Sequence, residues 1–145
     1  GTRGEITIYD GKTFTNLTDT DGKTFRNVWA IIKDKKDNIW FGADGLWRFD
    51  GSTFIQIDQM GAGVIIKDIK GNVLTSLGGP IFSYDEQSLS DKKPQVTVIM
   101  TKYEGRRNLP FGILWANDGS IWIGSEHYSY DGKTLTVFKS KEGQK

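Results

Sequence analysis

The chain contains no cysteine and only one histidine, His127. The missing thiols exclude disulfides, thiolate metal sites and cysteine nucleophiles together. With a single imidazole, a multi-histidine zinc site within one chain is excluded as well. An excess of one charge is also lacking: nineteen basic and eighteen acidic side chains leave a net charge of +1. That balance supplies no electrostatic footprint for DNA, RNA or an anionic membrane surface. No apolar run approaches the ~20 residues that cross a bilayer, so no membrane insertion is expected. No secretory leader is visible. The opening Gly1-Thr2-Arg3-Gly4 has no methionine, which a removed export signal and an added N-terminal remnant explain equally well. Prolines number three, and no stretch has helical period over a useful length. What is present, 145 residues with 37% hydrophobic and 26% charged, suits one domain with a real core.

Glycine is abundant, at eighteen, and much of it sits inside a repeated phrase. Tyr9-Asp10-Gly11-Lys12-Thr13-Phe14 returns as Phe49-Asp50-Gly51-Ser52-Thr53-Phe54 and as Tyr130-Asp131-Gly132-Lys133-Thr134-Leu135, with a worn copy at Tyr84-Asp85-Glu86. A second phrase keeps pace with it. Asp37-Asn38-Ile39-Trp40-Phe41-Gly42 matches Gly119-Ser120-Ile121-Trp122-Ile123-Gly124, and Gly71-Asn72-Val73-Leu74-Thr75-Ser76 is the degenerate copy between them. An apolar run precedes each: Val28 to Ile32, Val64 to Ile66, and Phe111 to Trp115.

Each unit reads as four short strands joined by turns, in the first case Val28–Lys33, Asn38–Gly42, Leu46–Phe49 and Thr53–Ile57. Asp-Gly and Asn-containing turns supply the positive φ angles that tight hairpins require. The expected fold is therefore all-β. Units of about 40 residues with four antiparallel strands are β-propeller blades, which bury their faces by stacking around an axis. The apolar first strand is expected to line the centre, and the Ile-Trp pair of the second to pack between blades. One domain of about three and a half blades results: a half blade at 5–25, then blades at about 26–58, 59–105 and 108–143. Closed propellers have four to eight. An incomplete stack would leave apolar faces and strand edges to be covered by a second copy, forming a homo-oligomer, or by neighbouring blades of a longer array.

Val28-Trp29-Ala30-Ile31-Ile32-Lys33-Asp34, Asp37-Asn38-Ile39-Trp40-Phe41-Gly42 and Gly45-Leu46-Trp47-Arg48-Phe49-Asp50-Gly51 together resemble the two-component regulator propeller repeat. The first unit and the stretch 108–138 match well. The middle unit departs at Leu74, Ser76 and Glu86, which stand where the repeat has tryptophan, glycine and the turn glycine. The resemblance covers about four fifths of the chain. It implies an exported β-propeller, periplasmic or extracellular, of the kind found in the sensor regions of hybrid histidine kinases of gut Bacteroidetes and in free-standing exported proteins. Kinase signalling by this chain is not implied.

Residue types suited to chemistry are few. His127, beside Glu126, is a candidate general base, but its position matches the hairpin turn at Asp44-Gly45, which makes it a surface turn residue on the other reading. Asp10, Asp50, Asp85 and Asp131 each follow a third-strand aromatic, where an aspartate ordinarily caps backbone amides. Asp19-Thr20-Asp21-Gly22 lacks the further ligands of a calcium loop. Asp118-Gly119-Ser120-Ile121-Trp122 fails the spacing of the sialidase Asp-box, and Asn16-Leu17-Thr18 forms a glycosylation acceptor triplet. No metal or cofactor is expected.

The tryptophans are the remaining resource. Trp40 and Trp122 hold the fixed second-strand position and are assigned to packing, while Trp47 is expected to be semi-exposed. Trp29 and Trp115 lie in inner strands, where the choice is between core packing and a stacking surface for a sugar or aromatic ring. The loop Lys102–Asn108 brings Arg106 and Arg107, and the matching loop before the first unit brings Arg26 and Asn27. These would hold a carboxylate or a hydroxyl-rich ligand at one mouth of the channel, or simply form a solvated rim. Candidate ligand-binding residues are thus Arg26, Trp29, Arg106, Arg107 and Trp115. The stretch Ser88–Met100 is the longest departure from the repeat, ending in a β-prone outer strand that needs a cover.

The leading expectation is a non-catalytic, exported binding or sensor-like module, self-associating, with a carbohydrate or small polar molecule as ligand. The alternatives are a propeller enzyme of the streptogramin-lyase kind, working through His127 and Glu126, and a structural fragment of a larger propeller.

Overall fold

The computed structural model describes residues 6–76, 81–100, 113–116, 121–123, 128–130 and 135–137. Among these the fold is all-β apart from one turn of 3₁₀ helix at Glu86–Ser88. A two-stranded sheet, β1 (Thr7–Tyr9) and β2 (Phe14–Asn16), comes first. Blade 1 follows with β3 (Ala30–Lys33), β4 (Ile39–Ala43), β5 (Gly45–Phe49) and β6 (Phe54–Asp58). Blade 2 contains β7 (Val64–Lys67), β8 (Val73–Ser76), β9 (Ile81–Tyr84) and β10 (Val96–Met100). Blade 3 contains β11 (Ile113–Trp115), β12 (Ile121–Ile123), β13 (Tyr128–Tyr130) and β14 (Leu135–Val137). Each four-stranded sheet is an antiparallel meander in sequence order. Strand β7 lies against both β3 and β11, so the inner strands succeed one another blade by blade. These are the half blade and three blades expected of a propeller repeat.

The repeated words translate into repeated geometry. Ile39 pairs with Phe49, Val73 with Tyr84 and Ile121 with Tyr130, an aliphatic second-strand residue facing a third-strand aromatic in every blade. The Asp-Gly phrase closes the β5–β6 hairpin and the matching β1–β2 hairpin. Asp50 Oδ1 accepts from the amides of Ser52 (2.9 Å) and Thr53 (2.7 Å), and Asp10 Oδ1 from those of Lys12 and Thr13 (both 2.8 Å). Gly51 and Gly11 occupy φ of 103° and 98°, which a side chain would resist. These amides, Thr13 and Thr53 foremost, hold both carboxyls below the usual carboxylate range.

Blade 2 lacks this turn. After Tyr84 the chain enters the 3₁₀ turn, with Asp85 capping the amide of Gln87, and returns only where the Asp85 amide meets the Gln95 carbonyl at 2.9 Å. The inserted loop docks on blade 1 through Arg48. Arg48 is 3% exposed, and its guanidinium donates to the carbonyls of Leu89, Asp91 (2.6 Å) and Ser90 (3.4 Å) and sits 5.9 Å above the Trp40 ring. Burial lowers its pKa, and Asp34, Asp50 and Asp91 oppose that pull. Lys36 adds a bond from Nζ to the Gln87 carbonyl at 2.9 Å. What reads in sequence as a break in the repeat is the clamp between two blades.

Asp34 organises the first-to-second strand turn of blade 1. Its Oδ1 accepts from the amides of Lys36 (2.8 Å) and Asn38 (2.9 Å), and its Oδ2 from Asn38 Nδ2 (2.9 Å) and the Trp40 indole (2.7 Å). Trp40, fully buried, is thereby oriented into the cluster of Leu46, Ala62, Ile65, Val73, Tyr84 and Leu89 between blades 1 and 2. A tryptophan of this size contributes about 4–6 kcal/mol of transfer free energy on burial. Phe41, next in the strand, points the other way and packs with Ile6, Phe25, Val28 and Ala43 toward the half blade. One strand therefore glues blade 1 to both neighbours, because successive side chains alternate faces.

Blade 1's strands differ from the expected bounds by one or two residues. Strand β3 starts at Ala30 because Asn27 adopts φ of 56°, turning the chain just before the ladder. The Trp29 amide still donates to the Gly42 carbonyl at 2.9 Å.

Candidate ligand-binding cleft

A cleft of about 700 Å³ opens at one end of blade 1, lined by Asn27, Trp29, Ala43, Asp44, Gly45, Gln59 and Gly61. Three chain segments build it: the turn into β3, the β4–β5 turn, and the linker that leaves β6 for blade 2. The linker can cross here only because residue 42 is glycine. A Cβ on Gly42 would sit on the Ala62 carbonyl group, 2.7 Å from its carbon. The fixed glycine of the Ile-Trp word is thus the floor over which the linker passes.

Trp29 is 56% exposed in spite of its size, since its chain neighbours Val28 and Ala30 supply the inward contacts instead. Asn27, Asp44 and Gln59 line the cleft with it. Asn27 Nδ2 approaches Asp44 Oδ1 at 3.5 Å, the long limit of a hydrogen bond, so both groups retain capacity for a ligand. The β4–β5 turn is held from behind, the Trp47 indole donating to the Asp44 carbonyl at 3.2 Å. No cationic side chain is among the described lining residues. An aromatic face with one amide pair and one carboxylate can stack on a ring and bond its hydroxyls. No proton-transfer or nucleophilic set is assembled among its described lining residues.

Of the sequence-derived candidates, Trp29 lines the cleft. Arg26 is exposed in the adjoining turn but is not part of the lining. Trp115 ends β11 opposite Ile121, the position that Lys33 holds opposite Ile39. It therefore falls at the far end of an inner strand from the Trp29 position, and the two are not brought together. Arg106, Arg107, Glu126 and His127 lie outside the described residues. Asp44 and Gln59 were missed, the first because Ala-Asp-Gly reads as turn chemistry, the second because nothing in its local sequence marks it. Among the described residues no group of three or more acidic or histidine side chains is placed to hold a metal.

No curated protein matches the chain. Residues 22–45, which include Asn27, Trp29, the Asp34 turn, Trp40, Gly42 and Asp44, match the family model described as two component regulator propeller. The chain carries a two component regulator propeller repeat, and that repeat supplies most of the cleft.

Proposed function

We propose that the chain is a non-catalytic binding or sensor-like propeller module that works outside the cytoplasm and holds a carbohydrate or small polar ligand against Trp29. The observation that carries this reading is a tryptophan 56% exposed in a cleft between amide and carboxylate side chains. Apolar ring faces bury against an indole while equatorial hydroxyls reach Asn27, Asp44 and Gln59, the division of labour that polar ring ligands require. The location rests on the matched repeat, whose family forms extracellular and periplasmic sensor regions. Among the described residues no helix is long and apolar enough to cross a membrane.

Self-association belongs to the same proposal. Strand β10 is the outer edge of blade 2, and its Val96 and Val98 are 50% and 43% exposed. Such an edge pairs readily with another chain. Light scattering that returns a folded monomer at micromolar concentration would remove this part of the reading.

The ligand claim is tested by titrating neutral oligosaccharides into the purified chain with calorimetric detection, after a glycan-array screen. Trp29→Ala should abolish whatever binding is found, while the urea midpoint of unfolding stays within experimental error of the parent. Binding that survives Trp29→Ala, or a screen with no hits, counts against the cleft as the site.

A further inference from the structure

Turn after turn in this chain uses an aspartate in the same way. Asp10, Asp34, Asp50, Asp58, Asp68 and Asp85 each accept with Oδ1 from the amide two residues on, at 2.7–2.9 Å. A carboxylate so used is spent on its own turn. Asp44 departs from the habit. Two residues on from it stands Leu46, already in β5 and paired with Gly42. The Asp44 carboxylate takes only the 3.5 Å approach of Asn27 Nδ2, and among the described residues it forms no ion pair. Its turn is nonetheless braced. The Trp47 indole donates to the Asp44 carbonyl at 3.2 Å, and Gly45 holds φ of 108° where a side chain would meet Gln56 and Asp58. A fixed turn thus presents an uncommitted carboxylate to the cleft that also contains the exposed Trp29.

We infer that the cleft selects a hydroxylated ring bearing a protonated amine, an amino sugar with a free amino group, and that Asp44 sets this preference. The inference rests on the ring-binding reading of the cleft and extends it to the charge of the ligand. An ammonium has three donors and no acceptor, and an ionised carboxylate only accepts. The two are complementary at the one ionic group of the described lining, whereas a hydroxyl would meet Asp44 without a charge of its own. The indole works in the same direction, because the face of a tryptophan attracts a cation through its ring quadrupole. Asn27 and Gln59 bring amides, each with two donors and an acceptor, which suit ring hydroxyls. A uronic or sulfated sugar would face Asp44 with no cation in the described lining to offset the repulsion.

The test compares the tetramer of glucosamine with the tetramer of N-acetylglucosamine, which differ only in whether each amine is free or acetylated. Calorimetric titration at about pH 5.5 keeps the amines protonated and the carboxylate ionised. The free-amine oligomer should bind about fivefold or more tightly than the acetylated one, the size expected of an exposed charge pair joined by a cation–π contact. In Asp44→Asn, which keeps the shape of the side chain, the ratio should fall to within about twofold of unity. In the parent chain the ratio should shrink as salt rises from about 0.05 to 0.5 M, a readout that needs no variant. Equal affinity for the two oligomers in the parent overturns the inference. So does a preference that Asp44→Asn retains or that salt leaves untouched. Equal affinity that Trp29→Ala abolishes overturns the amine preference alone and leaves the ring-binding reading standing. Binding of neither oligomer also overturns the amine preference, and takes the ring-binding reading with it where the glycan screen is empty as well.

Discussion

Replacing Asp34 by alanine should cost far more than replacing its counterpart Asp68, although the two turns look alike. Asp68 accepts from the amides of Lys70 (2.9 Å) and Asn72 (2.8 Å) and from Asn72 Nδ2 (2.7 Å). Asp34 makes the corresponding three bonds and a fourth to the Trp40 indole. The surroundings differ as well: Asp34 and Asn38 are 2% and 4% exposed and Trp40 is fully buried, whereas Lys70 is exposed and Asn72 half-buried. In Asp34→Ala two buried donors, Trp40 Nε1 and Asn38 Nδ2, lose their acceptor, at about 1–3 kcal/mol each. Asn38 keeps only a long 3.3 Å contact to Ser90 Oγ. Buried Arg48 also loses a countercharge. The sum is about 3–5 kcal/mol, against about 1–2 kcal/mol for Asp68→Ala, whose donors can turn to water. Urea unfolding followed by circular dichroism reads the difference. In a double-mutant cycle, Trp40→Phe deletes the indole N–H, so the pair should couple by about 1 kcal/mol or more. Equal costs for the two alanine variants, or a coupling of zero, would refute the assignment of Asp34 as the acceptor that orients Trp40.

Gly42→Ala should destabilise by about 3 kcal/mol, because the new methyl meets linker backbone at Ala62 and not a side chain that can swing away. Gly51→Ala, with open space around it but φ of 103°, should cost only the backbone strain of about 1–2 kcal/mol; urea midpoints of the two variants compare them. A second expectation concerns alkaline pH. Burial pushes the Tyr84 hydroxyl up to about 12, from 10 in the unfolded chain. The stabilisation is complete below pH 10 and is lost as the pH rises from 10 to about 12, at about 1.4 kcal/mol per unit. Tyr84→Phe should remove that slope from a pH series of unfolding midpoints; an unchanged slope would mean that another group titrates.

Much of this architecture was legible beforehand. The Asp-Gly phrases at 10–11 and 50–51 became tight hairpins, Trp40 became an inter-blade anchor, and the middle unit proved irregular where Glu86 replaced glycine. Each of these is encoded within a few residues, because an Asx turn or an alternating strand needs no distant partner. Arg48 was not legible. Its carbonyl partners at Leu89, Ser90 and Asp91 come from a loop some forty residues on, in the stretch that departs from the repeat. Gln59 was equally silent, since a linker acquires a role only when the blades on either side place it beside Trp29.

Strand order, turn positions and the half-blade-plus-three arrangement were determined by the sequence alone, since they follow from local hydrogen bonding repeated at intervals. Which side chains of one kind meet water was decided only by the tertiary structure. Trp40 is sealed and Trp29 is open; Phe54 is half-covered and Phe14 is bare. The residue types and even the local geometries match, but burial belongs to the neighbours that stacking brings up, and those lie in other blades.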